Sequence, residues 1–254
     1  MWTSITKIIT PKSFKEAIQA NSNSSSKLLS GGTYLTSEKN SAVQELIYIL
    51  PLLNDQIVLT DNSLFIGSGT SLQTIIDSNL NNVLGGWLSK VIKWSCSSKN
   101  IRNQRTIGGE IARNRADSEL IVLLYALNPI LHISNPENKE IQLDLWDGIG
   151  IITGIYFNLN MKQNFRLKRF SFLESAPAHL IVGQNQSNAG TQIIIGGSSE
   201  RIISESFKGS ALDQEFIHKI MKKTVENFED DHNGSMEYKQ YLIKNVLTQF
   251  GHDL

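Results

Sequence analysis

Two short segments with adjacent glycines constrain this chain most: residues 30–33 (Ser-Gly-Gly-Thr) and residues 106–110 (Thr-Ile-Gly-Gly-Glu). Each adjoins an apolar stretch and carries a hydroxyl side chain next to its glycines. Because glycine has no Cβ, such a loop can turn backbone N–H groups toward an anion and let a ligand approach closely. Two loops of this kind can hold one diphosphate from two sides, so the pattern indicates a dinucleotide ligand.

Length and charge limit the other possibilities. A chain of 254 residues with 40% hydrophobic residues is long enough for two or three compact units. Lys plus Arg and Asp plus Glu both number 24, which gives zero formal charge and a pI near 7.0. Since no basic field is available to attract phosphates, the composition argues against nucleic acid or an anionic membrane as a partner.

Cys96 is the single cysteine, and the five histidines show no metal-ligand spacing. The sequence therefore predicts no disulfide, thiolate zinc site or iron–sulfur cluster on this chain. Cys96 itself is expected to be an interior or loop residue. If the protein handles electrons, its own carrier is expected to be organic, and any cluster is expected on another chain.

The start of the chain, residues 1–20, lacks a continuous apolar region and a small-residue cleavage site. No later stretch approaches the ~20 apolar residues that span a bilayer. These features favour a soluble, cytoplasmic protein with no membrane partner.

Turn and capping signals predict alternating strands and helices. Residues 13–16 form a capping box at a helix start, and residues 57–66 match a hairpin. The segment 67–72 (GSGTSL) lacks the third glycine of a Rossmann fingerprint, so it predicts a strand-to-helix turn with Thr70 or Ser71 as the cap. The other predicted elements are strands at 27–29, 46–50, 130–133, 149–157 and 192–195, and helices at 87–95, 119–128, 212–228 and 235–250. The helix at 212–228 is amphipathic, with Leu212, Phe216, Ile220 and Val225 near one face.

Residues 101–112 (IRNQRTIGGEIA) resemble the signature IRN-x-x-TIGGN-[IL]-A of the molybdenum hydroxylase flavoprotein subunits. These are the FAD subunits or domains of xanthine dehydrogenase, aldehyde oxidase and carbon monoxide dehydrogenase. Residues 30–35 (SGGTYL) are similar to the family's AGGTDL loop. Residues 11–13 resemble its first helix start, and residues 234–239 (GSMEYK) its late GS-x-x-YR helix. The matching segments follow the family's order along nearly the whole chain.

The resemblance implies an α+β (α/β) fold: a two-subdomain FAD-binding fold of the PCMH / vanillyl-alcohol oxidase type, followed by a small α+β C-terminal domain. The expected boundaries are 1–54 for the first FAD-binding subdomain, 55–162 for the second and 163–254 for the C-terminal domain.

The resemblance also implies a cofactor site in which both glycine loops hold the FAD pyrophosphate. Backbone N–H groups of Gly31, Gly32, Gly108 and Gly109 would face it, and Thr33 and Thr106 would add hydroxyl donors. No catalytic residue and no metal ligand is expected on this chain. The predicted cofactor-binding residues are Leu29, Ser30, Gly31, Gly32, Thr33, Tyr34, Leu35, Thr106, Ile107, Gly108, Gly109, Glu110, Glu119, Ile151 and Lys168.

The chain departs from the family pattern within both loops. Glu110 replaces the asparagine after TIGG, and its negative charge is expected to weaken diphosphate binding unless it points away or is protonated. Arg113 and Arg115 either offset that charge or lie in solvent. Tyr34 replaces the acid of GGTDL and is a candidate to pack on the cofactor.

A second departure lies after the signature, where the family has SP-x-x-D with a flavin-contacting aspartate. Asn114 and Arg115 replace its Ser-Pro pair, and Glu119 occupies the aspartate position in an ungapped count. Asp117 is the rival if the loop is shorter. The alternative role for Glu119 is an acid that complements a helix dipole.

Around the flavin ring, the resemblance places Ile151 or Ile152 against the isoalloxazine, the alternative being plain strand core. Lys168 lies near a family lysine that neighbours the ring, where a cation stabilises anionic reduced flavin. Arg166 and Arg169 leave this register open, and a solvated run of charges is the alternative.

By resemblance, the chain is a xanthine dehydrogenase-like oxidoreductase subunit that relays electrons. The relay would run from a [2Fe–2S] subunit to FAD on this chain and on to an acceptor such as NAD. Hydroxylation would occur at a molybdenum cofactor on a separate large subunit; purine or another N-heterocycle is a guess from the family alone. Two alternatives are an autonomous flavin oxidoreductase of the same fold and a flavin-free scaffold subunit.

Overall fold

A computed structural model describes residues 2–80, 82–135, 137–160, 164–187, 190–208 and 214–252. Helices and strands are mixed along the chain, which confirms the predicted fold class. The strands are β1 (Lys7–Ile9), β2 (Ser26–Leu29), β3 (Glu45–Tyr48), β4 (Ile57–Leu59), β5 (Ser63–Gly67), β6 (Ile130–Asn135), β7 (Glu137–Gln142), β8 (Ile151–Asn158), β9 (Asn164–Phe170), β10 (Leu180–Ser187), β11 (Gly190–Gly197) and β12 (Ile203–Phe207). The helices are α1 (Phe14–Ala20), α2 (Thr33–Glu38), α3 (Leu72–Asp77), α4 (Trp87–Ser95), α5 (Lys99–Gln104), α6 (Ile107–Arg113), α7 (Glu119–Leu127), α8 (Gln214–Asn227) and α9 (Met236–His252).

The chain forms two compact units, each assembled from three segments. The first unit contains Met1–Asn79, Ser98–Arg113 and Pro129–Leu159. The second contains Leu80–Ser97, Asn114–Asn128 and Asn160–Leu254. The division into three domains at 1–54, 55–162 and 163–254 stays a prediction.

The first unit begins with a parallel sheet in the order β1-β3-β2. The predicted capping box is present at the start of α1: Ser13 Oγ accepts a hydrogen bond from the N–H of Glu16, and the Glu16 carboxylate accepts one from the N–H of Lys12. Ala17 of α1 packs on Ile47 of β3 in a small apolar core. Strand β2 pairs with β3 as far as Leu29 and ends immediately before the first glycine loop.

An antiparallel sheet in the order β4-β5-β8-β6-β7 completes the first unit. Its β4–β5 hairpin confirms the predicted one. Ser71, and not Thr70, caps α3 by accepting a hydrogen bond from the N–H of Thr74 at 3.0 Å. Ser71 also forms a β-bridge with Thr106, which attaches the second glycine loop to the turn before α3.

The second unit contains an antiparallel sheet in the order β12-β11-β10-β9, with an apolar core shared between the sheet and the helices α8 and α9. Helix α7 is buried over most of its length and confirms the predicted apolar helix. It ends where Asn128 adopts a left-handed conformation with φ 43°.

The face predicted for the helix at 212–228 needs one correction. Phe216 and Ile220 are buried as expected, but Val225 is 54% exposed. Nine residues are about 2.5 turns at ~3.6 residues per turn, so Val225 lies opposite Phe216, and Thr224 takes the inward position. Leu212 lies outside the described residues.

Candidate functional site

The two glycine loops lie against each other within the first unit. A Cβ on Gly31 would be 1.8 Å from the carbonyl oxygen of Gln104. A Cβ on Gly108 would be 2.6 Å from the Cβ of Ser68. Both distances are too short for any side chain, so these positions require glycine because the backbones approach so closely.

Side chains join the two loops at several points. The hydroxyls of Ser30 and Thr106 share a hydrogen bond of 3.0 Å. The Nε of Arg105 donates to the hydroxyl of Thr33 at 3.3 Å. Tyr34 donates its hydroxyl proton to Oε1 of Glu110 at 3.0 Å. Residues far apart in the sequence therefore form one continuous wall.

This wall encloses a cavity of about 240 Å³. Because pockets for drug-sized ligands measure ~300–1,000 Å³, a cavity of this size suits one part of a dinucleotide. The predicted site residues that line it are Ser30, Gly31, Gly32, Thr33, Tyr34, Leu35, Thr106, Gly108, Gly109 and Ile151. The other lining residues are Lys27, Leu28, Glu38, Ile49, Leu53, Arg105, Ala112, Arg113, Gly150 and Ile152. Five predicted site residues are not among them: Leu29, Ile107, Glu110, Glu119 and Lys168.

The first loop presents backbone donors. Gly32 adopts φ 71° immediately before α2, and no side chain caps that helix. Within the described part of the chain, no acceptor pairs with the N–H groups of Gly31, Gly32 or Thr33. Three consecutive N–H groups beside a cavity are the arrangement that binds an anion.

The second loop has its N–H groups engaged inside the protein. Ile107 donates to the carbonyl of Thr70, and Gly108 donates to the carbonyl of Ser68, both at 3.0 Å. Gly109 donates to the side-chain oxygen of Thr106 at 3.2 Å. These donors therefore hold the loop to its neighbours, and a contact of the Gly108 and Gly109 N–H groups with a diphosphate stays a prediction.

Glu110 is buried, with 1% of its side chain exposed, and its carboxylate does not line the cavity. Its Oε1 lies 3.1 Å from Nε of Arg105, so the charge on Glu110 is balanced inside the protein. Arg113 and Arg115, the two arginines considered from the sequence, form ion pairs with other carboxylates. Arg113 pairs with Glu38 at 2.6 Å, and Arg115 pairs with Asp117.

Arg105 is the residue of this site that the sequence analysis missed. Arg105 lines the cavity, and its guanidinium carbon lies 4.2 Å from the centre of the Tyr34 ring. The sequence offered one signal for Arg105: it stands directly before Thr106 of the second glycine loop, although the family signature leaves that position variable.

Ile151 and Ile152 open strand β8 on the cavity wall, with 2% and 5% exposure. The strand begins later than predicted because Gly150 adopts φ 99°. A Cβ at Gly150 would lie 2.5 Å from Cγ2 of Ile133. Packing of either isoleucine on a flavin ring stays a prediction.

Glu119 and Lys168 belong to the second unit. Oε1 of Glu119 lies 2.8 Å from Nε of Arg169, and Oε2 accepts a hydrogen bond from the Ser95 hydroxyl. Burial raises the pKa of Glu119, although its hydrogen bonds and Arg169 act in the opposite direction. Lys168 is exposed on β9. Cofactor contacts of Glu119, its rival Asp117 and Lys168 stay predictions.

The described residues contain no group of three or more His, Cys, Asp or Glu side chains placed to hold a metal ion. In the same part of the chain, no helix has both the length and the hydropathy needed to cross a membrane.

Two abutting glycine loops, one with N–H groups that have no acceptor among the described residues, indicate a nucleotide-cofactor-binding protein. Residues 4–146 match the family model described as the FAD binding domain in molybdopterin dehydrogenase. The chain belongs to this family, and FAD is the cofactor that the family binds.

Solved structures share the fold over almost the whole chain. CO dehydrogenase from Hydrogenophaga pseudoflava matches with a TM-score of 0.77 at 17% identity, covering 96% of this chain and 95% of that one. Quinoline 2-oxidoreductase from Pseudomonas putida 86 matches with a TM-score of 0.73 at 16% identity, covering 98% and 96%. CO dehydrogenase from Oligotropha carboxidovorans matches with a TM-score of 0.76 at 15% identity, covering 98% and 96%. No curated protein sequence matches the chain.

Proposed function

We propose that this chain is the FAD-binding electron-transfer subunit of a molybdenum-containing hydroxylase or dehydrogenase. In this proposal, electrons arrive from a [2Fe–2S] partner, reach FAD on this chain and pass to an acceptor such as NAD. The observation that carries the proposal is the direct contact of the two glycine loops, which makes one cavity wall from two parts of a family signature.

The chain's own residues fit the diphosphate of FAD. Gly31, Gly32 and Thr33 line the cavity, and their three N–H groups, which have no acceptor among the described residues, can donate to an anion there. The hydroxyls of Ser30 and Thr106 lie beside them, and each can donate when its proton turns toward the ligand. FAD, when bound, supplies the redox chemistry, while this chain binds and orients it.

The buried position of Glu110 supports flavin binding. A carboxylate inside the cavity would repel a diphosphate, and this repulsion motivated the flavin-free scaffold as an alternative. The carboxylate instead lies outside the cavity lining and is paired with Arg105. That motive for a scaffold is therefore removed, while the missing Ser-Pro pair at residues 114–115 remains a departure from the family.

A separate large subunit with the molybdenum cofactor and a [2Fe–2S] subunit are the proposed partners, in the cytoplasm. The support is the family itself, which is described as the FAD binding domain in molybdopterin dehydrogenase. The matched Hydrogenophaga pseudoflava structure is named as a CO dehydrogenase that lacks the Mo-pyranopterin moiety of its molybdenum cofactor, so that enzyme is one whose cofactor contains molybdenum. The structures named above are CO dehydrogenases and a quinoline oxidoreductase, so they give no support to a xanthine dehydrogenase-like activity in particular.

The first test is the visible absorption spectrum of the purified full chain, followed by acid release of any cofactor and its chromatographic identification. Flavin absorption bands together with released FAD are the expected result. A colourless protein that takes up no added FAD would overturn the proposal.

A second measurement separates the relay subunit from an autonomous flavin enzyme. Tagged protein is isolated from its own cells, and the bound material is analysed for iron and molybdenum. Co-isolation of both metals with two further chains is expected. Yellow protein that carries neither metal would favour the autonomous enzyme.

A further inference from the structure

Arg105 is held firmly on one side and open on the other. Its Nε lies 3.1 Å from Oε1 of Glu110 and donates to the Thr33 hydroxyl at 3.3 Å. The guanidinium carbon lies over the Tyr34 ring, 4.2 Å from its centre, and only 13% of the Arg105 side chain is exposed. These contacts fix the plane of the guanidinium within the cavity wall.

The two terminal nitrogens of Arg105, Nη1 and Nη2, have no partner among the described residues. They carry four of the five N–H donors of a guanidinium. Since Arg105 lines the cavity, a rigid pair of donor groups is available to a ligand there. Planar, paired donors of this kind match the oxygens of a phosphate.

The other cations that line the cavity differ from Arg105. Arg113 is 49% exposed, and its charge is paired with Glu38. Lys27 is exposed on β2, so its long flexible side chain must lose rotamer freedom to bind. Among the described residues of the wall, Arg105 alone combines a fixed position with unused donors.

We infer that Arg105 binds the FAD diphosphate directly through Nη1 and Nη2, with Glu110 and Tyr34 as the residues that position it. This inference rests on the proposed function, because it assigns a further contact in the same site. It also assigns a donor immediately before the second loop, where the N–H groups of Gly108 and Gly109 are engaged inside the protein. One side chain supplies what the backbone of that loop does not.

The pairing of Glu110 with Arg105 predicts that removal of the Glu110 charge increases the affinity for FAD. Glu110 pairs with Arg105 without lining the cavity, and its negative charge lowers the net positive charge that a diphosphate meets there. Replacement by glutamine keeps a hydrogen-bond acceptor for Tyr34 and Arg105 but removes the negative charge. Glu110→Gln should therefore bind FAD more tightly, whereas a purely structural role for Glu110 predicts weaker binding.

The experiment measures the Kd of FAD for the full chain after removal of its cofactor, by titration calorimetry at two salt concentrations. The variants are Arg105→Gln, Glu110→Gln and the double variant Arg105→Gln/Glu110→Gln. Arg201→Gln is the control, because it removes the same charge from an exposed arginine of the second unit that is not a candidate site residue. Circular dichroism of each variant reports whether it is folded.

Arg105→Gln should raise the Kd about 10- to 100-fold, as expected for the loss of charge-assisted hydrogen bonds to a phosphate. The double variant, which leaves no unpaired carboxylate, should remain comparably weak. Glu110→Gln should lower the Kd about 3- to 10-fold, with a steeper salt dependence. Arg201→Gln should stay within about 2-fold of wild type.

Three results would overturn the inference. A Kd for Arg105→Gln within about 2-fold of the wild-type value would exclude a direct contact, while FAD binding itself would stand. Recovery of wild-type affinity in the double variant would assign the loss to an unpaired Glu110. Absence of FAD binding by the wild-type protein would overturn the proposed function, and the inference with it.

Discussion

The two glycine loops are similar in composition but differ in what their backbones do. The first follows β2 and lines the cavity, and the N–H groups of Gly31 and Gly32 have no acceptor in the described part of the chain. The second follows α5, and the N–H groups of Gly108 and Gly109 bind Ser68 and Thr106. The same residue type therefore serves two purposes: open donors in one loop and close packing in the other. A glycine motif by itself does not distinguish between them.

The largest expected effect comes from Gly31, where both purposes meet. In Gly31→Val, the Cβ would lie 1.8 Å from the carbonyl oxygen of Gln104, so the backbone at Gly31 or at Gln104 would have to move. We expect a destabilisation of about 3 kcal/mol or more and complete loss of FAD. Urea unfolding and flavin content provide the two measurements. Gly251→Ala is the control, because a Cβ there meets nothing within 4 Å.

The next effect separates the two glycines of the second loop. A Cβ on Gly108 would be 2.6 Å from the Cβ and 2.9 Å from the carbonyl oxygen of Ser68, whereas one on Gly109 meets only the Thr106 hydroxyl at 3.0 Å. Gly108→Ala should cost about 1–3 kcal/mol of stability and Gly109→Ala clearly less. Thermal unfolding of both variants is the measurement, and equal losses would contradict a packing role specific to Gly108.

A smaller effect is expected from Ser30→Ala, which keeps the backbone and removes one hydroxyl. The variant loses the link to Thr106 and one donor beside the open N–H groups. FAD affinity should fall about 3- to 10-fold with little change in stability, which is the scale of one hydrogen bond. Calorimetric titration with FAD checks it; an unchanged Kd would leave the backbone donors as the whole contribution of this loop.

The smallest effect concerns pH and the second unit. Because the pKa of Glu119 is raised in the folded protein, folding favours its protonated form. Its contribution to the free energy of unfolding is therefore largest at low pH and falls as pH rises through the unfolded and then the folded pKa. Glu119→Gln cannot titrate, so its free energy of unfolding should fall less between about pH 4 and 7. Urea unfolding at several pH values measures this difference, and parallel curves would contradict it.

Much of the local structure was predictable from short patterns. The capping box at Ser13, the β4–β5 hairpin and the apolar helix α7 are each specified by neighbouring residues, and the structure contains all three. The amphipathic face of α8 was predicted less well, because Val225 was placed inward although its angular position is opposite Phe216. The period of ~3.6 residues per turn places Val225 on the outer face of the helix, and the prediction applied this period incorrectly.

The candidate site was predictable only in part. Ten of the predicted residues line one cavity, which the paired glycine motifs indicated. The partner of Glu110 was sought at Arg113 and Arg115, while Arg105 pairs with it. No short-range pattern distinguishes these three arginines, since the choice depends on how the two loops are brought together.

By itself, the sequence determined the family, the two glycine loops and most of the helices and strands, because caps, turns and apolar periodicity are local properties of the chain. Only the tertiary structure decided which N–H groups of the glycine loops have acceptors, which cation pairs with Glu110 and which nitrogens of Arg105 remain available to a ligand. Those outcomes depend on acceptors such as the Ser68 and Thr70 carbonyls and on the Tyr34 ring, which lie far from the second loop in sequence. Hydrogen bonds are short-ranged and directional, so only the folded arrangement of the backbone fixes their partners.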